Sequence, residues 1–242
     1  MRKDLYKDLE DKENTHWWHI SKKNIAESLV NKYKGDKKIR ILDVGCGSGF
    51  IIQTLQKHGN VWGVDIEKEA ISICKQKKIL QVKLAKAEKL PFKSASFDMI
   101  TILDVLEHVD DKKALKELQR VLSKKGKLVI SVPAYQWMWS KWDEILHHKR
   151  RYTKKTLREL LEENGFKIIK ISYLYSFLLL PAFITRKIKE LFSYDNYSSD
   201  FLISNSLINN IFGSLAKLEK IVFFKIGVPF GLSVIAVAQK KS

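Results

Sequence analysis

Apolar positions along the chain fall into two recurring patterns. Short β-branched runs alternate with segments in which apolar residues return every three or four positions. The first run, Ile39-Arg40-Ile41-Leu42-Asp43-Val44, predicts a strand buried on both faces of a parallel sheet. Phe50, Ile51, Ile52 and Leu55 then carry a helix to about His58. Further strands are predicted at Val61 to Asp65, Ile79 to Leu84, Phe97 to Leu103, Lys127 to Val132 and Phe166 to about Ser172. Helical periodicity separates them at Glu67 to about Lys77 and Asp111 to Leu122, with a turn at Ser123-Lys124-Lys125-Gly126. A helix capped by Thr153 runs to Asn164-Gly165, and Gly231 to Ala238 reads as a closing buried strand. Strands alternating with helices predict an α/β fold with a doubly wound, mostly parallel sheet.

Two segments stand outside that alternation. Residues 1–15 are charged and read as a surface segment, followed by His16-Trp17-Trp18-His19 at the head of a helix to about Tyr33. Adjacent tryptophans cannot share one helix face, so one is available either to cover a ligand pocket or to anchor the helix on the sheet edge. The stretch from Tyr173 to Phe230 contains Phe177 to Ile184, apolar but shorter than the roughly 20 residues a bilayer span needs and interrupted by Pro181. Beyond it Ile211, Leu215, Leu218 and Val222 form one helical stripe, with Lys217, Glu219 and Lys220 elsewhere on the wheel. That stripe suits an interfacial membrane helix or a lid over a greasy pocket, and equally a cap packed on the domain or a dimer contact. The organisation expected is one domain, 1–242, with an N-terminal helical cap at 1–35 and an apolar helical insertion at 173–230.

Composition narrows the partners. The chain has 242 residues and a formal charge of +17, with lysine dominating. Such a balance suits nucleic acid, an anionic membrane surface or a phosphorylated substrate, or reflects lysine-coated helix faces such as Lys112-Lys113 and Lys116. Cys46 and Cys74 lack disulfide or metal-ligand spacing, so no metal is expected and a reducing cytoplasmic location, peripheral at the inner membrane face if the stripe meets lipid, is the expectation.

Candidate chemistry gathers at strand ends. Gly45, Gly47 and Gly49 alternate after the first strand, leaving backbone N–H groups uncovered at the positive end of the following helix, a place for an adenosine-like body. A dinucleotide fingerprint needs a third glycine where Phe50 stands, which disfavours a pyrophosphate cofactor and a nicotinamide oxidoreductase. Asp65 closes the second strand about twenty residues beyond the first glycine, where a carboxylate accepts ribose hydroxyls. Asp104 to Val109 leaves the fourth strand toward the same crevice. The aromatic and cationic loop from Pro133 to Tyr152, including Trp139, is placed to hold substrate. Within it His148 beside Arg150, Arg151 and Tyr152 could take a hydroxyl proton while the arginines hold a phosphate or carboxylate; a structural cap on the next helix is the other reading. Tyr135 and His108 are further bases or orienting groups, although His108 serves equally to lock its turn.

Four segments, taken in order, resemble class I S-adenosylmethionine-dependent methyltransferases. They are Leu42-Asp43-Val44-Gly45-Cys46-Gly47-Ser48-Gly49, Asp65 after the second strand, Ala87-Glu88-Lys89-Leu90-Pro91-Phe92, and Leu103-Asp104-Val105-Leu106-Glu107-His108-Val109. The His16-Trp17-Trp18 opening, the segment from Val132 to Thr153 and the closing Gly231 to Lys240 are similar to a bacterial and archaeal subgroup with type 11 or type 12 methyltransferase domains. The resemblance implies a seven-stranded Rossmann-like methyltransferase fold with an antiparallel last strand and an insertion between strands six and seven. It implies S-adenosyl-L-methionine as cofactor. Asp43, Gly45, Cys46, Gly47 and Gly49 would lie against its methionine part, Asp65 on the ribose, Ile66, Ala87 and Glu88 around the adenine, and Leu103 and Asp104 at its amino and sulfonium side. Two departures stand out: Lys86 replaces an aspartate that relatives commonly carry beside adenine, and Lys22 replaces an arginine. His108, Trp139, Arg150, Arg151 and Tyr152 would face the acceptor, with His148 and Tyr135 catalytic.

An Asn/Asp-Pro-Pro-aromatic tetrapeptide does not follow the fourth strand, which lowers the standing of a nucleic-acid base as acceptor. A small-molecule or lipid-linked anionic acceptor, methylated on oxygen or carbon by a monomer or homodimer, is the expectation. An RNA-directed methyltransferase and a cofactor-binding regulator without turnover are the alternatives.

Overall fold

Parallel pairing begins where the β-branched runs predict it. The computed structural model describes residues 12–191 and 206–241. Strands β1 (Ile39–Val44), β2 (Gly59–Asp65), β3 (Val82–Leu84), β4 (Phe97–Leu103), β5 (Leu122–Pro133), β6 (Phe166–Leu174) and β7 (Ser233–Lys240) form one sheet in the order β3-β2-β1-β4-β5-β7-β6. Strands β1 to β5 pair in parallel, and β7 runs antiparallel between β5 and β6. Strand order reverses between β1 and β4, which opens a crevice outside their carboxyl ends. Ile41, Leu42, Ile100, Ile102, Leu128 and Ile130 are fully buried, as the continuous apolar runs require for a sheet covered on both faces.

Helices α1 (Trp17–Tyr33), α2 (Phe50–Leu55), α3 (Lys68–Gln76), α4 (Asp111–Val121), α5 (Lys141–Ile145), α6 (Lys154–Glu163), α7 (Leu179–Leu191) and α8 (Ser206–Lys225) connect and cover the sheet. Thr153 caps α6 as expected, its hydroxyl accepting the Thr156 N–H at 3.1 Å.

Three expectations are corrected. The turn predicted at Ser123 to Gly126 is absorbed into β5: Leu122 pairs with Phe97, pairing resumes at Lys127 with Met99, and the register shift accommodates the residues between. The third strand is shorter than predicted because Lys78 adopts φ 61° and turns buried Ile79 against the glycine turn.

The third correction concerns the insertion. Helix α8 packs on the protein through Ala216, Glu219 and Phe223, while Ile211, Leu215, Leu218 and Val222 face outward, Leu218 with 60% of its surface exposed. The cap reading, in which the stripe packs on the domain, is therefore reversed. Glu219 turns inward because its carboxylate accepts the Ser176 N–H at 2.6 Å and also the Tyr175 N–H, capping the turn after β6. Leu180, Ile184 and Ile188 of α7 add to the exposed apolar surface, and no described helix is long and apolar enough to cross a membrane. The expectation for the first residues and the middle of the insertion falls in part on 1–11 and 192–205, outside the described residues.

Candidate active site

The glycine turn is built by backbone conformations that side chains resist. Gly45, Gly47 and Gly49 have φ of 75°, 52° and 83°. A Cβ at Gly45 would stand 2.2 Å from Val105 Cγ2, and one at Gly49 would stand 2.4 Å from Ile79 Cδ1. At Gly47 it would meet nothing within 4 Å, so open space lies before that residue. The Gly45 and Cys46 N–H groups both donate to the Val64 carbonyl, which ties the turn to β2.

Three carboxylates stand at the carboxyl ends of β1, β2 and β4. Asp43, 2% exposed, accepts the Thr101 hydroxyl through Oδ1 at 2.6 Å, while its buried Oδ2 has no hydrogen-bond partner. Burial pushes the Asp43 carboxyl up to about 7, although the Thr101 hydrogen bond and the nearby Asp65 charge act in opposite senses. Asp65 accepts the Gly47 N–H through Oδ2 at 2.9 Å and the Glu67 N–H through Oδ1 at 3.0 Å. Asp104 has φ 53°, accepts the Ser131 hydroxyl at 2.9 Å and forms an ion pair with Lys22. Next to Asp65, Ile66 leaves 57% of an apolar side chain in the open, while Ala87 is buried and Glu88 accepts the Asp110 N–H at 3.2 Å. Leu103 is half-buried and, with Lys22, Ser131 and Tyr175, lines a narrow cavity beside Asp104.

The N-terminal segment reaches this turn, and the surface position expected for it is corrected at Glu13. That residue is buried, accepts the Ser48 hydroxyl and pairs with Lys77 at 2.7 Å. In α1 the two tryptophans divide as their adjacency requires. Trp17 is buried against Tyr175, Phe177 and Phe212, with its backbone N–H donated to Asn209 of α8. Half-buried Trp18 lies 4.2 Å from Tyr175 between ring centroids and carries the Lys22 ammonium 4.8 Å from its own. Burial lowers the Lys22 pKa, against the pull of Glu107.

The loop after β5 assembles differently from expectation. His148 Nδ1 lies 2.7 Å from Asp143 Oδ1, and Asp143 is fully buried. Arg151 grips the same carboxylate at 2.8 and 3.0 Å and reaches the Ala134 carbonyl, so its guanidinium ties the loop together. Burial alone would raise the Asp143 pKa, yet the hydrogen bonds from His148 and Arg151 hold it well below the usual carboxylate range. Tyr152 is likewise turned inward, its hydroxyl on Asp111 at 3.3 Å, and Arg150 pairs with that aspartate at 2.9 Å. Arg150, Arg151 and Tyr152, expected to face the acceptor, thus each meet an internal carboxylate, and Arg150 keeps half of its side chain exposed.

Tyr135 is stacked between Trp137 and Tyr173, and burial with the Tyr173 hydrogen bond raises its phenol well above the ordinary range. Trp139 is half-buried at the end of the short turn Gln136–Met138; Trp137 is the exposed ring. His108 and His148 meet edge to face with centroids 4.6 Å apart, and the Lys149 N–H donates to the Glu107 carbonyl at 2.7 Å. Burial and the adjacent His148 lower the His108 pKa to about 4. Asp143 and Glu107 lie outside the expected site residues: Asp143 ends an aromatic, irregular run in the sequence, and Glu107 is one acid in the segment after the fourth strand.

Three comparisons bear on what this arrangement is. The family model described as "Methyltransferase domain" matches residues 42–130, from β1 into β5. A Methanocaldococcus jannaschii protein of uncharacterised activity is 33% identical over 167 residues, spanning 67% of this chain and 72% of its own length. The chain belongs to the class I methyltransferase family. This methyltransferase is also 32% identical over 130 residues to the ubiquinone biosynthesis O-methyltransferase of Coxiella burnetii, covering 48% of the chain and 56% of that relative. Its fold is shared, at TM-score 0.64 and 17% identity, by a chain of the complex between the Haloferax volcanii Trm112 methyltransferase activator and a methyltransferase. That likeness covers 99% of this chain and 95% of the other.

Proposed function

We propose that the protein transfers a methyl group from S-adenosylmethionine to oxygen or carbon of a small, anionic or lipid-linked acceptor. The observation that carries the cofactor part is the buried Asp43 Oδ2, left without a partner at the end of the strand that leads into the glycine turn. A buried carboxylate oxygen of this kind is costly unless a ligand or its water shell engages it. The residues present fit the cofactor's three parts. Asp65 offers a carboxylate for the ribose hydroxyls, Ile66 an exposed apolar face for adenine, Asp104 negative charge for the cationic methionine end, and Asp43 an unpartnered carboxyl oxygen. Lys22 pairs with Asp104, so its ammonium must shift when a ligand cation takes that place.

Bound there, S-adenosylmethionine supplies an activated methyl group. The chain then has to orient the acceptor, exclude water and assist loss of a proton where the nucleophile is a hydroxyl. His148, held by Asp143 on the loop after β5, lies against His108 of the segment that follows Asp104. Tyr135, Trp137 and Phe183 form an aromatic wall over the loop.

An apolar acceptor body fits the outward stripe of α8 and the exposed side chains of α7, and the +17 charge favours an anionic surface. The shared segment with a ubiquinone biosynthesis O-methyltransferase supports a phenolic or enolic oxygen on a lipid-like body. Incubation with methyl-labelled cofactor and a lipid extract, followed by phase separation, tests this reading. Label in the organic phase that disappears in Asp65→Ala supports it; label confined to water-soluble products removes the lipid-linked acceptor.

A further inference from the structure

Among the described residues, Glu107, His108 and His148 each bring one ligand atom within 4.8 Å of the other two. Glu107 and His108 follow β4 directly, and His148 arrives from the loop after β5, so only the fold unites them. We propose that these three residues form a divalent-cation site where the segment after β4 meets the loop after β5.

Two further features separate this cluster from a chance meeting of polar side chains. Glu107 is 1% exposed, and its Oε2 has no hydrogen-bond partner. An unpartnered carboxylate oxygen at that depth costs free energy that a cation would recover. His148, moreover, has its ring fixed from behind, with Nδ1 held by Asp143 at 2.7 Å. Engagement of the far nitrogen by a carboxylate or carbonyl is the arrangement that orients imidazole ligands and raises their basicity. Positive charge close to Glu107 is already answered: Lys22 by Asp104 and Arg151 by Asp143. The cysteines, whose spacing predicts no metal, take no part.

Two imidazoles and one carboxylate suit Zn²⁺, Mn²⁺, Co²⁺ or Fe²⁺ better than the all-oxygen preference of Ca²⁺. With three protein ligands, the ion keeps open positions. An acceptor hydroxyl docked at one of them would lose its proton to solvent at lower pH, as zinc-bound water does near pH 7. That consequence rests on the methyltransferase reading above, whereas the cation site itself does not.

Titration of the chelator-treated full chain with Co²⁺, followed by its visible absorption, tests the site. One ion per chain is expected, with affinity falling at least 10-fold in His148→Ala and in Glu107→Gln. His147→Ala, outside the cluster, should leave it unchanged. Retained binding of S-adenosylhomocysteine and an unchanged melting curve would show that the variants fold. Absence of Co²⁺ binding to the wild type, or equal affinity in folded His148→Ala, overturns the site. Cation binding without S-adenosylhomocysteine binding would instead sink the methyl-transfer reading and leave the site standing.

Discussion

Gly47 donates its backbone N–H to Asp65 Oδ2 at 2.9 Å, which makes the glycine turn and the end of β2 one hydrogen-bonded unit. Substitutions at neighbouring glycines should therefore separate folding from binding. Gly49→Ala forces a methyl to within 2.4 Å of Ile79 Cδ1 at φ 83° and should cost about 2–4 kcal/mol in urea denaturation. Gly47→Ala meets no atom and should cost only about 1 kcal/mol, yet it fills the open space and should weaken S-adenosylhomocysteine binding at least as much as Gly49→Ala does.

Asp43 sets a pH dependence. Its folded pKa of about 7 lies above the unfolded carboxylate value near 4, so the folded state holds the proton more tightly. Its contribution to stability is complete below the unfolded value and is lost as pH rises toward 7. Asp43→Asn should gain stability relative to wild type between pH 4.5 and 7.5, by a few kcal/mol. Urea midpoints across that range would measure it, and parallel curves for the two proteins would contradict the assignment.

At Asp143 one fully buried carboxylate satisfies both His148 and Arg151. Asp143→Ala strands a buried guanidinium and should destabilise the fold by about 3–5 kcal/mol. A loss below about 1 kcal/mol would mean that the loop does not depend on this network.

The outward stripe of α8 should bind anionic vesicles at low ionic strength and release them as salt rises. Co-sedimentation should weaken several-fold in a double Ile211→Glu, Leu218→Glu variant. Equal sedimentation of both proteins, or none by the wild type, would leave a protein partner as the occupant of that face.

Legibility in the sequence followed locality. β1, β4 and the Gly45, Gly47 and Gly49 turn were readable because a doubly buried strand and a left-handed turn leave unambiguous residue types. The partners of Asp143 and Glu219 were not. Glu219 sits on the polar side of a helical wheel and Asp143 in an irregular loop, where a carboxylate reads as solvated. Only contacts with Tyr175 and Ser176 for one and His148 and Arg151 for the other turn each inward. The stripe on α8 was visible as a stripe, but periodicity cannot say which face of a helix meets the protein once a buried acid outweighs apolar area. In the same way Arg150 and Arg151 read as substrate ligands because their internal carboxylate partners lie elsewhere in the chain.

Calorimetric titration with S-adenosylhomocysteine, on wild type and Asp65→Ala, tests the central claim most directly. The wild type should bind one equivalent, and removal of a carboxylate that serves both the turn and the ribose should weaken binding about 100-fold. No heat of binding to the wild type, or undiminished affinity in Asp65→Ala, would contradict the cofactor site described.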